Sequence, residues 1–393
     1  MKKNIIVLTK EKLISADSIM PVLLNLKDCH PDCRILFVFP SVQNYNLIKK
    51  NVHLWQCLIR LDAKILAPRR DNRILISLWV IKLLLLLSFS RNVIIKFGDT
   101  LFMHKFLLKI LKKISHTTEI QALIIPALED YHYAIKEQWA ISKERNASGI
   151  RSGQKDYVEY DYYLISMPTD LFRTYYGADI PDSKIINAGY VRRMPQWIKF
   201  VRESAGEHVP EERKPYFLFI LSTPGKRLNE LEEPPLSELL SESLTVLKKF
   251  NNRIHTIFRP HAITDVEELK LTLKELDYSN YSVDYGHPMI LSPGAEFVIG
   301  NFFSTTMFDA YYLGTPVIEY SYYDRELSGR MGFKSYGNSC CDFFIDRDRN
   351  KLEEVVSDIL EGKIKTKRDS QFIDANFPET PKEFYQLFNK LLA

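Results

Sequence analysis

Two short segments in the second half of the chain combine an apolar run with polar groups suited to bind an anion. Residues 254–261 read Ile-His-Thr-Ile-Phe-Arg-Pro-His, and residues 297–310 read Phe-Val-Ile-Gly-Asn-Phe-Phe-Ser-Thr-Thr-Met-Phe-Asp-Ala. Each pattern predicts a short strand that runs into a polar loop, and the second loop opens directly into a helix. Ser304, Thr305 and Thr306 stand at that helix start, where hydroxyls and free N–H groups can converge on a phosphate.

The same helix start also has an ordinary interpretation. Thr306 with Asp309 three residues later forms a capping box, which satisfies the helix end and needs no ligand. His261 favours the phosphate site, because ligands of open α/β sheets lie off the carboxyl ends of strands, and Arg259 and His261 would come from the end of a neighbouring strand. The alternative for His261 is a partly buried loop histidine bonded to the backbone. His287, in a second His-Pro pair, is a weaker candidate for a group facing the cleft.

Carboxylates follow several of the predicted strands and are candidates for contacts with hydroxyl groups. Asp99, Glu129 and Asp130 lie in the first half of the chain, where they could hold hydroxyls of an acceptor or act as a general base. The simpler role for each of them is to cap a helix. Glu319 ends the predicted strand 316–319, where a carboxylate can bind a ribose, and a surface position is the alternative.

The composition is that of a globular enzyme with two domains. A chain of 393 residues is longer than a domain with a single hydrophobic core usually is. Of its residues, 46% are hydrophobic and 26% are charged. A net charge of +4 is small for this length, so the composition gives no argument for a nucleic-acid partner. Five cysteines, an odd number without regular spacing, favour a reducing compartment, and we therefore expect a cytoplasmic protein.

No metal or other cofactor is expected. Cys29, His30 and Cys33 form only half of a zinc-site pattern, because no second pair of ligands stands near them in sequence. No Asp-x-Asp pair suggests a metal-dependent donor site, and no glycine-rich fingerprint follows the first predicted strand. A departing nucleotide must then be met by fixed positive charge and N–H donors, for which Arg259 and His261 are the candidates.

Strands alternate with helices along the whole chain, which predicts an α/β protein. Apolar runs at 4–9 and 34–39, with an amphipathic segment between them, form a βαβ opening. A second βα series follows a charged, proline-containing stretch that lacks an apolar period. We therefore place two domains at 1–200 and 216–393, with a linker at 201–215.

The most apolar stretch, residues 74–89, is too short, and interrupted by Lys82, to be a membrane span. Apolar surface with basic neighbours can rest on an anionic membrane face, which would place the protein peripherally on the inner face of the cytoplasmic membrane. The alternative, which we favour, is a core helix with solvated lysines nearby. The basic neighbours in sequence are Arg69, Arg70, Arg73, Lys105, Lys109, Lys112 and Lys113.

With these motifs the chain resembles the GT-B glycosyltransferases of bacterial surface-polysaccharide synthesis. In the members with a His-Pro motif, which include capsule-type Kdo transferases and sialyltransferases, a histidine and a Ser/Thr helix start hold the phosphate of the donor. Arg259-Pro-His261 and Ser304–Thr306 match this pattern, although Ala262 stands in place of the proline that follows the histidine. The resemblance implies two Rossmann-like βα domains that face each other across a cleft, the first binding the acceptor and the second the nucleotide-sugar.

The resemblance extends to the loop after the first strand of the second domain. Capsule-type Kdo transferases carry a Gln-x-x-x-acid pattern there, and this chain has Lys226 at the glutamine position and Glu230 at the acid position, followed by Glu232 and Glu233. The match implies that Glu230, or its neighbour Glu232, is the nucleophile of a retaining transfer of Kdo from CMP-Kdo to a lipopolysaccharide, O-antigen or capsule glycan. Lys226 would help to bind the phosphate. The alternative is a solvated acidic run that leads into a helix.

Two other functions stay open. Residues 161–166 and 187–192 resemble the segment before the linker in CDP-glycerol polyol-phosphate transferases, which attack phosphorus and need no carboxylate nucleophile. The third hypothesis is a catalytically silent nucleotide-binding or assembly subunit. It is favoured by the absence of the proline and the glutamine of the two motifs, which Ala262 and Lys226 replace. The expected partners of the enzyme are a nucleotide-sugar donor and a glycan or lipid-linked acceptor.

Overall fold

A computed structural model gives the fold of the protein. It describes residues 3–9, 14–39, 41–67, 81, 85, 87–88, 90–97, 109–110, 112–124, 128–144, 160–176, 179–208, 215–221, 236–261 and 264–393. The chain forms two compact units. Unit 1 consists of Met1–Pro126, Asp156–Phe200 and Phe377–Ala393, and unit 2 consists of Ala127–Lys155 and Val201–Asn376.

Unit 1 is built on a sheet of seven parallel strands. The strands are β1 (Lys3–Leu8), β2 (Arg34–Val38), β3 (Lys64–Leu66), β4 (Arg91–Phe97), β5 (His116–Leu123), β6 (Tyr162–Ile165) and β7 (Ile185–Asn187). Their order is β3-β2-β1-β4-β5-β6-β7, so the strand order reverses between β1 and β4. The central segments form strands because they are short apolar runs that are buried on both faces, as parallel sheets require.

Unit 2 is built on a second parallel sheet, of six strands. The strands are β8 (Tyr216–Ile220), β9 (His255–Arg259), β10 (Tyr281–Val283), β11 (Val298–Gly300), β12 (Val317–Ser321) and β13 (Phe343–Asp346). Their order is β10-β9-β8-β11-β12-β13, with the reversal between β8 and β11. Phe217 stacks on Phe297 at 4.7 Å between ring centroids, and both side chains are completely buried in the core of this unit.

Helices connect the strands of both sheets. In chain order, the helices whose bounds lie within the described residues are α1 (Ile14–Cys29), α2 (Val42–Lys50), α3 (Val52–Arg60), α4 (Glu129–Glu144), α5 (Thr169–Tyr176), α6 (Pro195–His208), α7 (Leu236–Leu247), α8 (Val266–Glu275), α9 (Pro288–Leu291), α10 (Thr305–Tyr312), α11 (Arg325–Arg330), α12 (Arg349–Leu360), α13 (Ser370–Asn376) and α14 (Lys382–Leu392). Short 3-10 helices lie at Asp182–Lys184, Val191–Arg193, Lys248–Phe250, Ser292–Gly294 and Asn338–Cys340.

The last helix returns to unit 1. Phe384, Phe388 and Leu392 recur every four residues along α14, which places them on one face, and all three are buried. This face packs against β4 and β7. The C-terminal seventeen residues of the chain therefore complete the core of unit 1, although the segment before them belongs to unit 2.

Helix α4 belongs to unit 2, although the next strand in the chain, β6, belongs to unit 1. Arg330 of α11 binds the carboxylates of Glu137 (3.2 Å) and Glu144 (2.6 Å) on α4. Tyr131 contacts Phe308 of α10 edge to face, at 5.6 Å between ring centroids. Helix α4 is thus held to unit 2 by both ion pairs and aromatic packing.

The predicted α/β class, with two Rossmann-like domains that each contain a parallel sheet, is confirmed. Sequence patterns did not reveal β3 and β13, because these strands have only three and four residues and are largely half-exposed, so no apolar run marks them. Helix α6 continues through His208, so the first half of the expected linker at 201–215 is helical. Residues 209–214 lie outside the described part of the chain.

Most of the apolar stretch 74–89 also lies outside the described residues. Of its described members, Ile81 and Leu85 are 53% and 73% exposed, whereas Leu87 is buried. Within the described part of the chain, no helix is long and apolar enough to cross a membrane.

Candidate functional site

The reversal of strand order between β8 and β11 marks the point where ligands of open α/β sheets bind, off the carboxyl ends of the strands. Arg259, Ile220, Gly300 and Glu319 occupy one row across this end of the sheet, each in register with the next. Neighbouring strands lie about 4.8 Å apart, so roughly 14 Å separates the backbones of Arg259 and Glu319. The row brings together the two segments in which the sequence predicts a phosphate site.

The helix start predicted from the sequence is present. Ser304 is the N-cap of α10, and Thr305 and Thr306 are its first two residues. The hydroxyl of Ser304 accepts a hydrogen bond from the N–H of Thr306 (3.4 Å) and lies 2.9 Å from the hydroxyl of Thr306. The N–H of Ser304 donates to the sulfur of Met307 (3.4 Å), so the capping box joins these two residues rather than Thr306 and Asp309. The three polar residues are partly exposed, so a ligand can reach them.

The loop between β11 and α10 is tightly built. Gly300 leaves no spare room, because a Cβ there would lie 3.1 Å from the side chain of Met307. Phe302 has a φ of +69°, in a region that bulky residues rarely adopt. The side-chain amide of Asn301 donates to the carbonyl of Tyr320 (3.0 Å) and ties the loop to β12. Strained backbone that is fixed by its surroundings in this way clusters at ligand sites.

Arg259 is the last residue of β9, and its side chain is tied to the loop after β10. Its Nε donates to the carbonyl of Gly286 (3.1 Å), and the N–H of Gly286 donates to Asp284 (2.8 Å). His261 is partly exposed just beyond the strand, and its carbonyl accepts the N–H of Thr264 (2.9 Å). The structure therefore places Arg259 and His261 together at the carboxyl end of β9, as the sequence predicted.

His287, the weaker candidate, has a structural role. Its side chain is only 1% exposed, and its Nδ1 accepts the N–H of Met289 (3.1 Å), which caps α9. A ring that is buried and bonded in this way does not present itself to a ligand, so the expected cleft-facing position of His287 is wrong.

Glu319 is completely buried, which rules out the surface alternative considered for it. Its carboxylate accepts a hydrogen bond from the hydroxyl of Ser321 (2.7 Å) and further hydrogen bonds from the hydroxyls of Tyr323 and Ser335. Burial raises the pKa of Glu319, and the three hydroxyls together with the N–H of Phe303 oppose part of that rise. The carboxylate thus connects β12, the loop before Ser335 and the loop that leads into α10.

An aromatic stack surrounds this carboxylate. The ring of Tyr323 stacks on that of Tyr336 at 4.4 Å between centroids, with an interplanar angle of 10°, and on that of Phe344 at 5.8 Å. The ring of Phe302 is tilted by 55° relative to that of Tyr323, at 5.6 Å between centroids. Burial raises the pKa of Tyr323 well above its ordinary value, so the phenol stays protonated and donates to Glu319.

Asp130 and Glu129, predicted to hold an acceptor, occupy the start of α4 within unit 2. Asp130 accepts hydrogen bonds from both the N–H and the hydroxyl of Ser339, at 2.6 and 2.7 Å. Its other carboxylate oxygen accepts the N–H of Tyr131 (2.8 Å). Glu129 is exposed. The carboxylate of Asp130 is therefore engaged in holding α4 to unit 2, and that of Glu129 faces solvent.

Four of the predicted site residues fall outside the described part of the chain. They are Lys226, Glu230 and Glu232, in the loop after β8, and Asp99, after β4. The strand before that loop, β8, borders the reversal of strand order, and its last residue, Ile220, pairs with Gly300. The role that the family resemblance implies for Glu230 and Glu232 stays a prediction.

Among the described residues, no group of three His, Cys, Asp or Glu side chains is placed to hold a metal ion. The Asp346-Arg347-Asp348 sequence is an Asp-x-Asp pair, but two of its three residues have structural roles. Asp348 caps α12 by accepting the N–H of Lys351 (3.0 Å), and Arg347 binds Glu242 (2.7 Å).

The sequence patterns missed the residues that surround Glu319. Ser335 follows Glu319 by sixteen positions and lies in a stretch without strand or helix periodicity, so nothing in the sequence linked the two. Tyr323 was equally unmarked. The available signal was the aromatic content of the two loops after β12, at 322–323 and 332–337.

Comparison with known proteins identifies similarity at the level of the fold. No protein-family model matches the chain, and a comparison with curated proteins finds no match. The UDP-GlcNAc 2-epimerase from Neisseria meningitidis bound to UDP-GlcNAc is similar with a TM-score of 0.52 and 14% identity, over 99% of both chains. The S. aureus protein MnaA in complex with UDP has a TM-score of 0.51 and 9% identity, over 97% of this chain and 92% of its own.

The Anabaena protein HepE in complex with UDP-glucose is similar over 99% of both chains, with a TM-score of 0.50 and 12% identity. At such identities the likeness shows the fold alone, which is the pair of Rossmann-like parallel-sheet domains found in GT-B proteins. The predicted fold class is thereby confirmed, whereas the narrower resemblance to Kdo transferases stays a prediction.

Proposed function

We propose that the protein is a nucleotide-sugar-dependent glycosyltransferase of the GT-B type that acts in the synthesis of a surface polysaccharide. The observation that carries the proposal is the Ser304 helix start. It follows β11, a strand at the reversal of strand order in unit 2, and the last residue of β11 shares a row of the sheet with Arg259. The likeness in fold to proteins whose structures hold UDP or a UDP-sugar supports a nucleotide-sugar as the ligand.

The phosphate of the donor would lie against the first turn of α10. The N–H groups of that turn and the hydroxyls of Ser304 and Thr306 can donate to it, and Arg259 and His261 add positive charge from the end of β9. A nucleotide leaves as an anion, so groups that are already in place when the bond breaks lower the barrier.

For the donor we propose a CMP-activated acidic sugar such as Kdo, which rests on the His-Pro motif and the Lys226-x-x-x-Glu230 pattern. The carboxylate of Glu230 would attack the anomeric carbon while the bond from that carbon to the phosphate oxygen breaks and CMP leaves with the bonding electrons. A hydroxyl of the acceptor would then attack the same carbon, lose its proton and release Glu230.

A UDP-sugar is the second candidate for the donor. It is favoured by the ligands in the three similar structures, each of which contains UDP or a UDP-sugar. One of these structures is an epimerase, so product analysis has to separate the two chemistries. A transferase releases free nucleotide and needs an acceptor, whereas a nucleotide-sugar epimerase converts its substrate without one.

The acceptor would be a glycan or a lipid-linked intermediate at the inner face of the cytoplasmic membrane. The exposed side chains of Ile81 and Leu85, within the basic-flanked apolar stretch, support a peripheral contact with that membrane. Such a contact would bring the enzyme to lipid-linked acceptors.

Calorimetric titration with CMP, CDP, UDP and GDP tests the proposal. We expect one of these nucleotides to bind, and Arg259→Ala to weaken that binding about tenfold, because a charge-assisted contact to phosphate is lost. Arg253→Ala is the matched control, since Arg253 is an exposed arginine of the same unit outside the site. Binding of none of the four nucleotides would contradict the proposal and favour a silent assembly subunit.

A further inference from the structure

The peptide that precedes the helix start of α10 is held by a buried carboxylate. The N–H of Phe303 donates to Glu319, and the next residue, Ser304, is the N-cap of α10. The other donors to this carboxylate are the hydroxyls of Ser321, Tyr323 and Ser335. Groups of the protein surround Glu319 and solvent does not reach it, so it does not face a ligand directly.

The side chain of Phe303 is fixed as well, because Gly337 leaves room for its ring. A Cβ at Gly337 would lie 2.3 Å from Cζ of Phe303, which is closer than two carbon atoms can approach. The backbone φ of Gly337 is −112°, outside the left-handed region, so the contact with the ring is what requires glycine. On its other side the ring contacts that of Phe308 in α10, at 4.9 Å between centroids.

Both restraints on Phe303 come together in one short segment. Ser335 donates its hydroxyl to Glu319 and accepts the N–H of Gly337 (3.1 Å). Glu319 and Gly337 are therefore joined through Ser335, and they hold the backbone and the ring of the same phenylalanine. A loop that is fixed in this way does not have to be ordered by the ligand that binds to it.

We propose that Glu319 is a positioning residue of the nucleotide site, which fixes the Phe303 peptide and thereby holds Ser304 in the geometry that receives a phosphate. The sequence predicted that Glu319 binds a ribose, whereas its burial favours an action through Phe303. Donors at a helix start that are already oriented bind a phosphate more tightly than donors that must be oriented first. The inference rests on the proposed function, and it adds a residue that acts without touching the ligand.

The substitution Glu319→Gln separates the N–H of Phe303 from the other donors. It replaces one carboxylate oxygen by an NH2 group. A hydroxyl can rotate and accept a hydrogen bond from that group, but a backbone N–H can only donate. The N–H of Phe303 must then compete with the hydroxyls for the one oxygen that remains. The substitution is therefore expected to loosen the loop before Ser304.

Hydrogen–deuterium exchange of the ligand-free protein measures this loop directly. The peptide that covers residues 301–307 should exchange faster in Glu319→Gln and in Gly337→Ala than in the wild type, because both substitutions act on Phe303. Exchange at the wild-type rate in both variants overturns the inference.

Two matched controls act on the same unit away from Phe303. Asp342 accepts the N–H of Val317 (2.8 Å), the first residue of β12, and binds Arg368 (3.0 Å), so Asp342→Asn removes a structural carboxylate at the other end of that strand. Gly329 lies in α11, and a Cβ there meets nothing within 4 Å. Asp342→Asn and Gly329→Ala should match the wild type in exchange at 301–307 and in ligand binding.

Calorimetric titration separates positioning from direct contact with the ribose. The probes are the tightest binder among CMP, CDP, UDP and GDP, and inorganic diphosphate, which has no ribose. We expect Glu319→Gln and Gly337→Ala to weaken the binding of both probes by the same factor, about tenfold, because both place a phosphate at Ser304. A direct ribose contact would instead weaken only the nucleotide in Glu319→Gln and neither probe in Gly337→Ala, and that result overturns the inference.

The outcomes also distinguish this inference from the proposed function. Nucleotide binding at the wild-type level in both test variants overturns the inference and leaves the proposed function in place. A wild type that binds diphosphate but none of the four nucleotides contradicts the proposed function. The loss of diphosphate binding in the two variants then supports the inference, and its absence overturns it. A wild type that binds neither probe contradicts both.

Discussion

Asp130 and Ser339 are 209 positions apart in the sequence, yet one carboxylate oxygen of Asp130 accepts both the N–H and the hydroxyl of Ser339, at 2.6 and 2.7 Å. This pair fastens α4 to the short 3-10 helix before β13, within unit 2. A carboxylate predicted to serve an acceptor is thus part of the scaffold beside the candidate nucleotide site.

Asp130→Ala is expected to lower the free energy of unfolding by about 2 kcal/mol, because hydrogen bonds to a charged group are lost and a partly buried N–H is left unpaired. Urea unfolding of the purified protein measures this change. Glu129→Ala, next to it and exposed, is the control and should change stability by no more than about 0.5 kcal/mol. Equal effects of the two substitutions would show that the Ser339 contact contributes nothing.

The raised pKa of Glu319 predicts that the stability of the folded protein depends on pH. Burial raises its pKa in the folded protein above the ordinary value of 4.5, so the folded state binds the proton more tightly than the unfolded state. Its contribution to stability is therefore fully present below pH 4.5 and is lost as the pH rises through the folded pKa.

Glu319→Gln removes the ionisable group and hence this loss. The stability of the variant relative to the wild type should increase as the pH rises above 4.5, as measured by urea unfolding at a series of pH values. A difference between variant and wild type that is independent of pH would show that Glu319 does not titrate abnormally.

Glu230→Gln tests the covalent mechanism. If Glu230 is the nucleophile, donor binding should survive while turnover falls by about 10³-fold or more, because only the ionisable group is removed. Mass spectrometry of the intact wild type after brief exposure to CMP-Kdo should show a sugar adduct that peptide mapping places in 222–233. Glu232→Gln and Glu233→Gln have to be measured separately. Near wild-type turnover in all three variants would refute a nucleophile in this loop.

His261→Ala should behave differently from Glu230→Gln. His261 would bind the phosphate both before and during bond cleavage, so its loss should weaken donor affinity together with rate. Initial-rate kinetics at varied donor concentration, combined with calorimetry, separate the two effects. Unchanged donor affinity in His261→Ala would remove this residue from the phosphate site.

The peripheral membrane contact predicts that a double substitution, Ile81→Glu with Leu85→Glu, abolishes flotation with anionic liposomes. Both side chains are more than half exposed, so their replacement should leave stability within about 0.5 kcal/mol of the wild type. Leu271→Glu, equally exposed on α8 of unit 2, should float as the wild type does. Absence of flotation by the wild type at low salt would contradict the membrane contact.

The sequence by itself determined the features that depend on local periodicity. Short apolar runs such as 4–9 and 216–222 predicted the parallel strands, and the polar residues after 254–258 and 297–299 predicted that a loop follows each of these two strands. These features are readable because an apolar run and the cap that follows it are set by residues a few positions apart.

Only the tertiary structure decided the features that join distant segments. It assigned α4 to unit 2 through Asp130 and Ser339, because that choice depends on which buried surfaces fit together and not on the period of the helix itself. The tertiary structure also shows that Glu319 is buried and bound by the hydroxyl of Ser335, and that the backbone of Phe333 is in the left-handed region. A strand-end carboxylate looks the same in sequence whether it is exposed or enclosed, since its burial is set by loops that lack periodicity and come later in the chain.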